Sequence, residues 1–321
     1  MKLPTLTAAC AAATLMVGVA VATTPRPADP PGEVPAMQAR LATQASLVAV
    51  AQAGDALIAV GDYGTVIRST DGGRHWSQAQ RVPVSTLLTG VSFIDAQHGW
   101  AVGHGGVILA TTNGGDTWRL QHVAEQKPVL LGVHFSNATT GYAVGAYGSA
   151  LRTDDGGQTW TPMTVGEGRD ADLHLNHLFQ GPDGSLFAAG EGGAAFRSRD
   201  GGEHWTRLDT GVSGSLWSGL ARQDGRIVLL GMSGRVLESA DGGTHWKVLE
   251  SGTSQSLTGG LETPDGALLL VGSGGTVVQG QGDTLRTRIR DDRQNLAAVA
   301  LAGGQRILLG QSGLISDTPT P

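Results

Sequence analysis

Apolar and polar positions in this chain alternate in short bursts, with no helical stripe of useful length. Apolar runs of four or five residues, such as 47–50 and 57–60, are separated by glycine-rich turns. Runs so short between turn signals mark strands. The stretch at residues 58–76, IAVGDYGTVIRSTDGGRHW, returns as WAVGHGGVILATTNGGDTW, YAVGAYGSALRTDDGGQTW, FAAGEGGAAFRSRDGGEHW and VLLGMSGRVLESADGGTHW. The copies end at Trp76, Trp118, Trp160, Trp205 and Trp246, which are 42, 42, 45 and 41 residues apart. Two eroded copies follow, from Leu269 and Ile307, so the count is seven. A fixed period of this length belongs to a propeller or a solenoid, not to one mixed core.

Each copy predicts four strands. In the first, an inner strand at 46–50 precedes a second at 57–60. The hairpin Gly61-Asp62-Tyr63-Gly64 follows, with glycines that supply the positive φ a tight turn demands. A third strand covers 65–69, and Asp71-Gly72-Gly73 turns the chain into a fourth that opens with Trp76. Four strands per 42 residues make a propeller blade. The predicted fold is therefore all-β, a seven-bladed β-propeller with four-stranded blades. The last copy supplies strands at 296–301, 306–309 and 313–316 but no fourth. An open strand edge is costly, so a segment within 33–41 is expected to pair beside 313–316 and close the ring from both termini. A column of small inner-strand residues, Ala49, Gly90, Gly132, Gly219, Gly260 and Ala298, suits sheets that converge on an axis, and His177 is its one bulky member.

Composition narrows the function. The formal charge of -6 is scattered and contains no Lys/Arg run, which argues against nucleic acid as a partner. Residues 1–22 combine a basic start with an apolar, small-residue run closing on Ala20-Val21-Ala22, the pattern of a secretory signal peptide. Residues 23–36 carry five prolines and read as an extended linker, 37–317 as the propeller and 318–321 as a tail. The expected product is an exported, periplasmic protein. The single cysteine, Cys10, lies in the leader, so the mature chain has no thiol for disulfides, metal binding or catalysis.

The third-to-fourth turns, Ser69-x-Asp71-x-Gly73-x-His75-Trp76 and its relatives around Asn113/Trp118, Asp155/Trp160, Asp200/Trp205 and Asp241/Trp246, resemble the Asp-box or BNR repeat. The Asp side chain can accept backbone N–H groups of the turn that follows, the hydroxyl can join it, and the Trp ring can bury against the sheet. Five equivalent carboxylates around a rim make no single reaction centre, so these residues are read as structural. The coupling of apolar-x-Gly-x-x-Gly-x-apolar to each box, as in AVGDYGTVIRSTDGG, is similar to the photosystem II stability/assembly-factor-like propellers over roughly residues 47–316. That resemblance implies an exported, non-enzymatic propeller which in photosynthetic members escorts a newly made membrane subunit. The concentrated arginine surface of those factors is not evident: Arg68, Arg152 and Arg197 recur on third strands, but Ala110, Glu238 and Gln279 break the series.

A sialidase would need three convergent arginines and a solitary nucleophilic tyrosine. Tyr63 and Tyr147 instead lie in equivalent hairpins, and Tyr142 opens a strand. Asp62, Asp170, Asp172 and Glu191 are the carboxylates that a glycosidase pair would draw on. A metal at His174 and His177 with Asp170 and Asp172 is disfavoured, because three residues along a strand face opposite ways. No cofactor is expected. Second-to-third hairpins share one propeller face with the interblade connections, which places Asp62, Tyr63, His104, Tyr147, Glu191 and Met232 beside the long 166–174 connection with Asp170 and Asp172. This face varies between copies, as a recognition surface on a rigid scaffold does, and His177 and Trp217 are counted with it. The expected role is a monomeric scaffold or assembly factor that binds a membrane protein. A carbohydrate-active propeller and a ligand-binding accessory of a transporter stay open as alternatives.

Overall fold

The computed structural model describes residues 34–315 and Asp317. The leader, most of the linker and the tail assigned above lie outside the described residues. The body is a ring of seven antiparallel sheets, each running in chain order from an inner to an outer strand. Blade 1 is Leu47–Ala53, Ala56–Gly61, Val66–Ser69 and Ser77–Gln78. Inner strands of blades 2 to 7 begin at Leu88, Leu130, Leu175, Leu216, Leu257 and Leu296. Those six leucines and Leu47 are all at most 2% exposed.

The second strands of blades 1 to 6 are built of apolar residues, glycine and Tyr142 because both of their faces are covered, whereas that of blade 7 opens with Gln305 and Arg306. In blade 1, Ile58 and Val60 pack towards blade 2, while Leu57 and Ala59 pack towards blade 7. One apolar layer therefore fills each junction, and burial of that layer is the main stabilising term. The box tryptophans act here too: Trp118, Trp160, Trp205 and Trp246 each pack into the junction with the preceding blade, and Trp76 into the junction with blade 7.

The box turns have the predicted chemistry. Asp71 Oδ1 accepts the His75 N–H at 2.9 Å, the Ser69 hydroxyl donates to the same carboxylate at 3.0 Å, and Trp76 Nε1 donates to the Gly73 carbonyl at 3.0 Å. The exposed rings of His75, His204 and His245 bond back to Asp71, Asp200 and Asp241 through Nδ1 at 2.6 to 2.7 Å. Backbone N–H groups, then these rings, hold all three carboxyls well below the usual range. In the third box, the Thr159 hydroxyl and N–H bring Asp155 to about 2.

Two expectations need correction. Blade 7 has three strands, and among the described residues nothing pairs with the outer edge of Gly313–Ile315. The amino-terminal arm docks on blade 1 instead, because side-chain amides hold it there. The Ala36 N–H donates to the Val82 carbonyl at 2.9 Å. Gln38 Nε2 donates to the Ala79 carbonyl and Gln78 Nε2 to the Met37 carbonyl, each at 2.8 Å. Further along, the turn Ala42–Gln44 lies on the blade 7 hairpin, where a Cβ on Gly313 would come within 2.0 Å of the Thr43 carbonyl. Blades 7 and 1 join through a core that includes Leu309, Leu47, Ala59 and Ile67.

The second correction concerns the small-residue column. Strand register matches Ala49, Gly90, Gly132 and Ala298 with His177, Ser218 and Gly259, so Gly219 and Gly260 stand one residue too far along. A β-bulge follows the opening leucine of every inner strand, between Leu216 and Ser218 for example, so the residue that re-enters the ladder is always the second after that leucine. In blades 5 and 6 that residue is Ser218 or Gly259, and the glycine read into the column is the third.

Candidate functional site

In blades 1 to 6 the second-to-third hairpin is a single turn whose middle residue is left-handed. Gly105, Gly192 and Gly274 hold that place in blades 2, 4 and 6, Ser233 in blade 5, and Tyr63 (φ 55) and Tyr147 (φ 53) in blades 1 and 3. A bulky L-residue costs about 1–2 kcal/mol in this conformation. Yet Tyr63 and Tyr147 are 77% and 79% exposed, so no burial offsets that cost. Strain of this kind concentrates where a side chain must be presented. The glycine after each tip faces the next interblade connection: a Cβ on Gly148 would lie 1.7 Å from the Ala171 carbonyl.

The structure gathers most of the predicted face. Asp62, Tyr63, His104, Tyr147, Glu191 and Met232 occupy hairpin tips, and the Asp62, His104, Glu191 and Met232 N–H groups bond to interblade carbonyls of Ser46, Leu87, His174 and Ser215. Glu191 is partly engaged, since its Oε1 accepts the His174 N–H at 2.9 Å. Asp170 and Asp172 lie in the turn Gly168–Asp172, where Asp170 is paired to Arg207 and Asp172 is exposed. The Tyr147 ring meets His174 edge-on at 4.5 Å. Arg152 is tied to Asp154 at 3.0 Å and Arg197 donates to the Gly242 carbonyl, so these two third-strand arginines are committed within the fold.

His177 is placed differently. It lines the channel below the mouth, beside the Phe179 ring, and is not on the hairpin face. Burial, reinforced by neighbouring His134, pushes its pKa down to about 4, so the ring is neutral at neutral pH. His134 is lowered by burial as well, partly opposed by its contact with Gln180. His174 and His177 do not converge. Among the described residues, no three His, Cys, Asp or Glu side chains gather as a metal would require.

At the centre of the hairpin face a mouth of about 580 Å³ opens onto a narrower channel of about 250 Å³. The bulge residues form its rim. Odd-numbered blades contribute Val48, Leu131, Trp217 and Ala297, and even-numbered blades contribute Thr89, Asn176 and Thr258. Trp217 is 38% exposed there. Among the described residues, neither the mouth nor the channel has an Asp, Glu, Lys or Arg in its lining. The carboxylates that a glycosidase reading draws on thus sit on separate tips or in the Gly168–Asp172 turn, outside the lining of the cavity. Apart from Trp217, this rim escaped the sequence analysis. Its signal is the variable residue immediately after the repeating leucine.

A family model described as photosynthesis system II assembly factor YCF48 matches residues 76–129 and 122–283. Among solved structures, the chain is similar to YCF48 bound to D1 peptide, with a TM-score of 0.69 and 22% identity over 87% of this chain and 94% of that one. It is similar also to YCF48 from Cyanidioschyzon merolae, with a TM-score of 0.66 and 18% identity over 87% and 97% of the two chains. An enzyme shares the architecture at greater distance: virginiamycin B lyase from Staphylococcus aureus gives a TM-score of 0.60 and 14% identity over 70% and 78%. At such identities the structural likeness shows the fold alone. A comparison with curated proteins gave no match.

Proposed function

Since the chain belongs to the family of photosynthesis system II assembly factor YCF48, we propose that it is a non-enzymatic, protein-binding propeller that assists assembly or stability of a membrane protein complex. The observation that carries this reading is the hairpin face, where two exposed tyrosines are held at a backbone cost around a carboxylate-free mouth. Such a surface supplies contact area and lacks the paired acids of glycoside hydrolysis. The solved relative carrying a D1 peptide supports a polypeptide partner. We place the mature protein outside the cytoplasm, as a monomer, on the strength of the leader sequence and the closed ring.

Capture from detergent-solubilised membranes of the source cells tests the proposal. The immobilised mature chain is expected to retain one defined membrane protein in stoichiometric amount. Failure to retain any, or release of sugar from a glycan panel by the chain, would overturn it. A companion variant carrying Tyr63→Gly and Tyr147→Gly should lose capture while its melting temperature holds or rises. Relief of about 1–2 kcal/mol per left-handed tyrosine outweighs the roughly 0.4–1 kcal/mol of extra unfolded-chain entropy that glycine brings. Differential scanning calorimetry reads the sign.

A further inference from the structure

We infer that the channel mouth is a socket for one apolar side chain of the partner polypeptide, with Trp217 as the wall it packs against. The inference rests on the protein-binding reading above and specifies the chemistry of the segment bound.

The polar groups on the rim are already at work within the ring. The Thr89 hydroxyl donates to the Leu130 carbonyl at 2.6 Å, Asn176 Nδ2 to the Leu216 carbonyl at 2.9 Å, and the Thr258 hydroxyl to the Leu296 carbonyl at 2.8 Å. Each bond runs from an even-numbered blade to the opening leucine of the next odd-numbered one. These donors therefore staple three junctions and are not held out to a ligand. The odd-blade set of the rim, Val48, Leu131, Trp217 and Ala297, is wholly apolar, and the polar lining of the mouth, Ser46, His174, Ser273, Asn295 and Gln311, belongs to the loops and tips around it. Below it the channel narrows to glycine, alanine, valine, Ser218 and the neutral His177, so an ion descending there would give up water without a charged side chain to replace it.

The surroundings point to a polypeptide. Among the described residues no protein donor reaches Asn176 Oδ1, so this acceptor stands ready beside Trp217 for a backbone N–H. An acyl chain has no N–H to offer. Exposed apolar side chains continue outward from the mouth on the same face, at Met232 in the hairpin of the Trp217 blade and at Tyr63 and Tyr147. A partly exposed tryptophan at the centre of a face, ringed by further contacts, is the arrangement of an interface anchor.

Panning a random-peptide phage library against the mature chain tests this. Selected peptides are expected to share one leucine, isoleucine or aromatic position. A synthetic peptide of that consensus should bind the wild type and lose at least tenfold in affinity when its anchor becomes alanine. It should lose as much against Trp217→Ala, and against Ala297→Asp, which puts a charge in the socket while keeping the tryptophan. Near-ultraviolet circular dichroism and the melting curve establish that both variants are folded. An acidic or anchor-free consensus, equal binding by the folded variants, or occupation of the mouth by maltooligosaccharide or by phosphatidylcholine vesicles in place of peptide would each overturn the inference. If membrane-protein capture survives in Trp217→Ala at full strength, the socket fails and the protein-binding reading stands. If the wild type captures nothing, that reading fails first.

Discussion

Replacing Arg222 by alanine is expected to lower the unfolding free energy by about 3–5 kcal/mol, the range found when one partner of a buried ion pair is removed. The guanidinium is buried where blades 5 and 6 meet. Its Nη1 donates to Glu238 Oε2 at 2.8 Å, its Nε to Glu262 Oε1 at 3.0 Å, and its Nη2 to the Gly266 carbonyl at 2.7 Å. Arg226 Nη1 and the Gln223 N–H complete the two carboxylates from outside. Alanine would leave both acids buried beside a void. The sixth copy has Leu285 where the earlier copies have the box tryptophan, and that leucine packs into the same junction that this network spans. Urea denaturation of Arg222→Ala, of Glu238→Gln with Glu262→Gln, and of the triple variant checks the account. The triple variant should recover much of the loss, since coupling between neighbours makes the effects non-additive. A single-variant loss under about 1 kcal/mol, the scale of an exposed pair, would show the network to be peripheral.

The second large effect is acid lability centred on the channel. Folding lowers the His177 pKa from 6.5 to about 4, so the folded state prefers the neutral ring while the unfolded chain takes up a proton first. Stability from this group is therefore complete above pH 6.5 and is lost as pH falls towards 4. At about 1.4 kcal/mol per pKa unit, the loss is at most about 3 kcal/mol, reduced by water in the channel. His134 acts in the same direction. The depressed carboxyls of Asp95 and Asp155, both at about 2, give way in a separate and more acidic window. His177→Ser, which copies the matched residue of blade 5, should flatten the stability profile between pH 6.5 and 4 without lowering stability at pH 7. Chemical denaturation at a series of pH values reads this. An unchanged slope would mean that channel water solvates the ring.

The blade count was legible because its signals are local. Gly61 and Gly64 fix a turn, Asp71 and Trp76 fix the next, and both recur at constant spacing. Bulges are not local in this sense. The pairing that skips the residue after each opening leucine shows only when the partner strand is in place, and Gly219 and Gly260 stand one residue beyond the matched Ser218 and Gly259. The docking of the arm turned on Gln38 and Gln78, whose amides carry no pattern. Among site residues, the tips followed from the repeat, whereas the socket rim did not. Val48, Thr89, Leu131, Asn176, Trp217, Thr258 and Ala297 share a position without sharing a chemistry. Nothing in the repeat marks Arg222, and the approach of Glu262 from the next blade makes it structural.

The arm that crosses from blade 1 to the tip of blade 7 bears on how the wheel is fastened. Six junctions are spanned by the chain as it passes from one sheet to the next, but the seventh, among the described residues, is held by side-chain packing and by this strap, with the Thr43 carbonyl seated on Gly313. A shortened protein starting at Leu47 would retain every sheet and yet have an unlatched gate, free to swing open between its first and last sectors.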